Sequence, residues 1–252
     1  MTDTPVNRVP EVTLGFWLIK LMAVTMGETA ADYLAVNLGL GLTATSLLMA
    51  GVLVVALIAQ FGQRQYVPWS YWLAVVLISI VGTLVTDNLV DNFGVSLITT
   101  TWVFSLALAF TFLVWFRSEG TLSIHAVFTL RREGFYWLAI LFTFALGTAA
   151  GDLVAEYFQL GYFSTGILFG LIILSLTIGY FFLGLDPVLG FWLVYILTRP
   201  LGASLGDYLS QPADYGGLAL GTIGTSGLFL GVIAGIVLTM TVSRRGKAAR
   251  LA

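Results

Sequence analysis

The sequence has no cysteine, one histidine and few charges. Without cysteine there is no disulfide, no thiolate metal site and no thiol chemistry. His125 alone cannot build an imidazole metal centre. Charged residues make up 10% of the 252 positions, against about a quarter in a soluble domain. With a mean hydropathy of +0.96, such a chain cannot clothe a water-facing surface, so it is an integral membrane protein. There is no glycine-rich phosphate loop, no Ser/His/Asp set and no metalloprotease motif, so nothing marks an enzyme, a cofactor site or a nucleic-acid binder. Met1 to Thr13 is polar, without the apolar core and cleavage site of a signal peptide.

What is present is one phrase written four times: Trp, nine residues, Gly, four residues, Asp. It occurs as Trp17–Gly27–Asp32, Trp72–Gly82–Asp87, Trp137–Gly147–Asp152 and Trp192–Gly202–Asp207. Each copy lies in an apolar stretch of about 20 residues, enough to cross a bilayer as a helix. Eight such stretches are expected, near 14–36, 43–62, 69–90, 96–116, 134–157, 162–184, 188–209 and 218–242. The first, third, fifth and seventh carry the phrase; the others are plain. The fold class is therefore an all-α membrane protein of four helical-hairpin repeats, all parallel because each repeat crosses twice.

Successive tryptophans are 55, 65 and 55 residues apart. The longer step suggests two halves, 14–116 and 134–243, joined by a charged linker 117–133, with tails 1–13 and 244–252. With the N-terminus cytoplasmic, inner loops and tails hold Arg8, Arg64, Arg117, Arg131, Arg132, Arg244, Arg245, Lys247 and Arg250, and outer loops hold no Lys or Arg. The positive-inside rule then puts both termini inside. The motif acids fall toward the outer surface and the motif tryptophans in an inner aromatic belt.

Small residues four apart precede each Asp (Gly27 and Ala31, Gly82 and Thr86, Gly147 and Gly151, Gly202 and Gly206), a spacing that lets helices approach closely in lipid. Packing alone accounts for the glycines, and it brings the motif helices together with the plain ones outside. Acids one turn apart are less easily explained: Glu28 with Asp32, Asp87 with Asp91, Asp152 with Glu156, and Asp207 with Gln211 in place of a second acid. Acids in a span usually line a cavity, pair, or mark an ion path. The plain alternative is that they touch water at the helix ends. Arg199, beside Pro200, stands where the other repeats have Val24, Ser79 and Phe144. It is the candidate counter-charge, expected to pair with Asp207 or with an acid on a neighbouring motif helix. Lys20 is expected to snorkel toward the inner surface, and His125 with Arg131–Arg132 to form a solvated loop.

The words Glu11-Val-Thr-Leu-Gly-Phe-Trp17, Gly27-Glu-Thr-Ala-Ala-Asp32, Phe135-Tyr-Trp137 and Leu197-Thr-Arg-Pro-Leu-Gly-Ala-Ser-Leu-Gly-Asp207 resemble a widespread bacterial family of uncharacterised membrane-anchored proteins, over nearly the whole chain. That resemblance implies the fold and a place in a bacterial inner membrane, and no activity. A looser likeness is to cation exchangers with Gly-Asp on repeated helices; only Gly151–Asp152 and Gly206–Asp207 match, and the exchangers' fuller Glu-x-Gly-Asp word is missing.

The expected function is a secondary transporter of a cation. Oxygen-only ligands favour a hard divalent ion such as Mn²⁺, Mg²⁺ or Ca²⁺, with proton coupling as an option the paired carboxylates provide. The candidate binding residues are Glu28, Asp32, Asp87, Asp91, Asp152, Glu156 and Asp207, with Asp32, Asp87, Asp152 and Asp207 as metal ligands. A channel or organic-cation transporter, and a scaffold or sensor with structural acids, stay open as alternatives. Expected partners are membrane lipids and a small inorganic cation; association with further copies of the chain is left open.

Overall fold

A computed structural model describes the backbone of residues 6–251 and the side chains of residues 6–242. Arg244, Arg245, Lys247 and Arg250 of the basic tail, and residues 1–5, lie outside the described side chains. Among the described residues all regular structure is helical, without strands. Eight helices are long and apolar enough to cross a membrane: α1 Leu14–Asp32, α2 Leu42–Phe61, α3 Pro68–Asp87, α4 Leu97–Glu119, α5 Leu130–Asp152, α6 Tyr162–Phe182, α7 Pro187–Ser210 and α8 Thr222–Leu251. Helices satisfy their own backbone in lipid, and the starts are set locally. Thr13 and Thr129 accept from the first-turn amides of Phe16 and Arg132, and Asp186 caps α7 ahead of Pro187.

The four motif helices form a closed ring, α1 against α3, α3 against α5, α5 against α7, and α7 back against α1. They bury 50 to 72% of their most apolar stretches, the plain helices only 11 to 22%. The plain helices thus carry the lipid-facing surface. Each packs not on its own repeat's motif helix but on the next: α2 on α3, α4 on α5, α6 on α7, and α8 on α1. The hairpin is a unit of sequence, while the packed unit is a plain helix with its successor. No seam separates the two halves of the chain.

The motif glycine explains the ring. At Gly27 an added Cβ would fall on the Ser79 side chain, at Gly82 it would lie 2.8 Å from Phe144 Cβ, at Gly147 it would fall on Arg199, and at Gly202 on Val24. In each case the occupant is the seventh residue after the tryptophan of the adjacent motif helix. The pattern is a four-step cycle of one knob in one glycine slot, closed by α7 on α1.

The tryptophan end is shut by aromatic packing. Phe16, Tyr71, Trp72, Tyr136, Trp137, Trp192 and Tyr195 are buried, and the Tyr71 and Tyr136 hydroxyls are 2.5 Å apart. This corrects the expected belt: Trp72, Trp137 and Trp192 are buried, because neighbouring segments cover them, their indoles donating to Tyr66, Glu133 and Leu122 O and Trp192 packing on Phe112 and Trp115 of α4. Trp69 and Trp102 are the exposed ones.

The linker is also shorter than expected. Gly120, at φ 71°, ends α4, and Thr129 starts α5, so both helices run past the apolar stretches and the connection is only residues 120–129. Arg131 and Arg132 are not simply solvated. Both pair with Glu119, at 3.4 and 2.8 Å, while His125 is exposed.

The N-terminal strap crosses this end. Asn7 donates to Ile124 O (2.9 Å), and Arg8 pairs at 2.7 Å with Glu133, which is fully buried. Gln60 and the Trp137 indole also donate to Glu133.

Candidate cation site

After Asp32, Asp87 and Asp152 the helix widens into a π turn (Tyr33–Asn37, Asn88–Asn92, Leu153–Tyr157), a distortion common at functional sites. In α7 the helix instead continues to Ser210. The ring therefore ends in a rim of acids whose burial increases with depth. Asp91 and Glu156 are exposed, Asp32, Asp87 and Asp152 half-buried, and Asp207 and Glu28 buried.

All seven candidate acids belong to one electrostatic cluster. Asp32 interacts with Glu28, Asp91 and Glu156; Asp87 with Glu28, Asp152, Asp32 and Asp91; and Asp207 with Glu28, Asp32, Asp152 and Glu156. Gln211 Nε2 reaches Asp32 Oδ2 at 3.5 Å, joining the fourth repeat to the first, and Tyr162 donates to Glu156 at 3.3 Å. Among the described residues, however, no three acids stand close enough to hold a metal ion between them. The Asp32, Asp87, Asp152 and Asp207 layer rings the axis without forming a ready ligand set.

Beneath the acids, toward the tryptophans, sits Arg199, completely buried. Its Nη2 lies 2.8 Å from Glu28 Oε2 and donates to Thr148 Oγ1 (2.7 Å) and to Thr83 Oγ1. Of the two partners expected from the sequence, the acid on a neighbouring helix is the one realised, and Asp207 is not. The reason is geometric: the Arg199 stem lies across Gly147 and so points between α5 and α7 toward the axis, rather than along its own helix. Glu28, Thr83 and Thr148 all stand eleven residues beyond their tryptophans, so one arginine joins the same level of three repeats to the fourth.

One level nearer the tryptophans lies a second buried cation, Lys20. Its Nζ donates to Tyr195 O (2.7 Å) and to Thr198 Oγ1, and sits 3.8 Å from the Tyr195 ring centroid. Lys20 is 1% exposed, so it does not snorkel: the ring's aromatic end holds its head by a carbonyl, a hydroxyl and a π face. The Phe144 ring is shared, 5.6 Å from Lys20 Nζ and 5.5 Å from Arg199 Cζ.

Sequence reading missed Thr83, Thr148 and the burial of Lys20. Laying the four repeats on one another would have shown the first two, since hydroxyls recur at the level of Glu28.

The acids are thus stacked in levels at one end of the ring, above the buried guanidinium of Arg199. Four stretches, residues 15–66, 70–121, 135–184 and 190–246, match the model of a family described as Repeat of Unknown Function (DUF347). The chain matches no curated protein and no solved structure.

Proposed function

The chain belongs to the DUF347 family, repeats of unknown function, and from its geometry we propose that it is a secondary transporter that carries a cation along the axis of its ring. The observation that carries this reading is the gradient of acids ending on the buried Arg199–Glu28 pair, 2.8 Å apart. A cation descending the axis competes with Arg199 for Glu28. Entry and release of the guanidinium then couple occupancy to the α5–α7 contact, where the Arg199 stem fills the Gly147 slot and Pro200 interrupts the backbone ladder.

The closed aromatic end favours a carrier with alternating access over an open channel. The ligand type alone would suit a hard divalent ion, while the single carboxylate at the foot suits one positive charge at a time. Proton coupling through the paired carboxylates is part of the same reading. We place the acidic mouth outward and both termini in the cytoplasm of a bacterial inner membrane, from the distribution of Lys and Arg.

The test is tracer-cation flux in proteoliposomes made with the full chain and with Asp87→Asn or Asp152→Asn. The expected result is flux in the wild type and at least about a tenfold loss in each variant, with thermal stability retained. Undiminished flux in both variants would sink the proposal.

A further inference from the structure

Three acceptors converge on one nitrogen beneath the acids, and that nitrogen has too few hydrogens for them. Arg199 Nη2 carries two. Both are spent on the hydroxyls of Thr83 and Thr148. Glu28 Oε2, 2.8 Å away, faces the same nitrogen as an ion pair.

Neither threonine needs a donor role toward the arginine. Thr83 turns its own hydrogen to Glu28 Oε2 or Ser79 O, and Thr148 to Phe144 O, so both offer lone pairs to the axis. Meanwhile Arg199 Nε and Nη1 are buried with no hydrogen-bond partner among the described residues, an arrangement disfavoured for buried donors. The pocket fits one end of the guanidinium and neglects the rest.

We infer that Glu28, Thr83 and Thr148 form a receptor for an ammonium-type monocation, NH₄⁺ or R–NH₃⁺, which Arg199 occupies as an internal stand-in. The inference rests on the reading of the axis as a cation path and names what that path takes. An ammonium nitrogen brings at least three hydrogens, one for each acceptor. Its single charge replaces that of Arg199 against the single carboxylate, so the exchange leaves the buried level neutral. The Phe144 ring, 5.5 Å from Arg199 Cζ, adds a π face that suits such cations. A divalent ion would look for six or more oxygens, whereas this level offers the side chains of Glu28, Thr83 and Thr148. K⁺ has the right charge and can take the same oxygens as ligands, but it asks for a fuller shell of oxygens than these three side chains supply.

The test uses the full chain in lipid nanodiscs with Arg199→Ala, which vacates the pocket. Thermal stabilisation is titrated with ammonium, methylammonium, potassium and magnesium chlorides at constant ionic strength. The expected result is that ammonium or methylammonium acts at about tenfold lower concentration than potassium, the worth of one good hydrogen bond. Adding Thr83→Val and Thr148→Val should shrink that preference to within about twofold. Tighter methylammonium points to amine-bearing compounds, tighter ammonium to the free ion.

Equal potency of potassium and ammonium, or a stronger effect of magnesium, overturns the inference. Should Arg199→Ala fail to fold in potassium buffer, recovery of folded protein on expression and purification in ammonium supports it, and failure in both overturns it. Ammonium-selective binding without cation flux would sink the transporter reading and keep this site; divalent flux without ammonium preference does the reverse.

Discussion

One methyl group at Gly147 should cost more than its volume. An alanine Cβ there would fall on Cβ and Cγ of Arg199 and within 3.1 Å of Pro200 Cδ. The atoms struck are the root of a side chain and a proline ring, and neither can rotate away. Overpacking of this kind costs about 1–3 kcal/mol. Moving the Arg199 stem also draws the guanidinium off Glu28, and breaking a buried pair costs about 3–5 kcal/mol. The two terms overlap, because relieving the first produces the second, so the expected loss is about 3 kcal/mol or more.

The control lies one turn on. At Gly151 an added Cβ meets Pro200 Cα and Cβ at 3.5 Å and Ala203 Cβ at 3.9 Å, ordinary contact, and alanine improves helix propensity by about 0.8–1 kcal/mol. Thermal unfolding of both variants in one lipid nanodisc preparation decides the matter. Gly147→Ala should unfold well below the wild type and Gly151→Ala at or above it. Equal stabilities for the two variants would refute the slot reading of the motif glycine.

Lys20→Met should change stability by no more than about 1 kcal/mol, because the described residues give Lys20 no carboxylate partner, whereas Arg199→Met strands Glu28 and should cost about 3–5 kcal/mol; melting curves of the two variants compare them directly. Glu133→Gln should destabilise by about 2–4 kcal/mol and free the N-terminal strap, seen as faster proteolysis near Arg8. Reporter fusions at positions 40, 94, 160 and 214 should report the outside, and fusions at both ends the cytoplasm; an outward C-terminus would contradict the parallel repeats.

The eight spans and the four repeats were legible because hydropathy and the Trp–Gly–Asp spacing are local signals of high contrast. Most ends came within a few residues, and α5 started earlier because Thr129 caps it ahead of its apolar stretch. The inner ring was legible too, since small residues four apart can serve only a close approach. The successor packing of the plain helices was not: nothing in the apolar run from Leu47 to Ala59 says whether α2 leans on α1 or α3. The partner of Arg199 was narrowed to two candidates, because a spacing of eight residues aligns Arg199 with Asp207 on one face while only the three-dimensional slot at Gly147 shows the side chain crossing to Glu28. Lys20 misled for a similar reason. Its distance from the helix start suggested an escape to the surface, and the Tyr195 carbonyl and ring that hold it come from a helix 175 residues away.

Whether the axis admits cations from its acidic end and is shut at its tryptophan end can be measured directly in a chain without cysteine. With Asp87→Cys as the only thiol, in vesicles of known orientation, a cationic and an anionic methanethiosulfonate of similar size are applied from either side. Labelling is expected from the acidic side only. The cationic reagent should react there at least about tenfold faster, relative to the anionic one, than it does at Gly39→Cys in the α1–α2 loop, and the ratio should fall as salt rises. Equal cation-to-anion ratios at the two positions, or labelling from the tryptophan side, would contradict this reading of the axis.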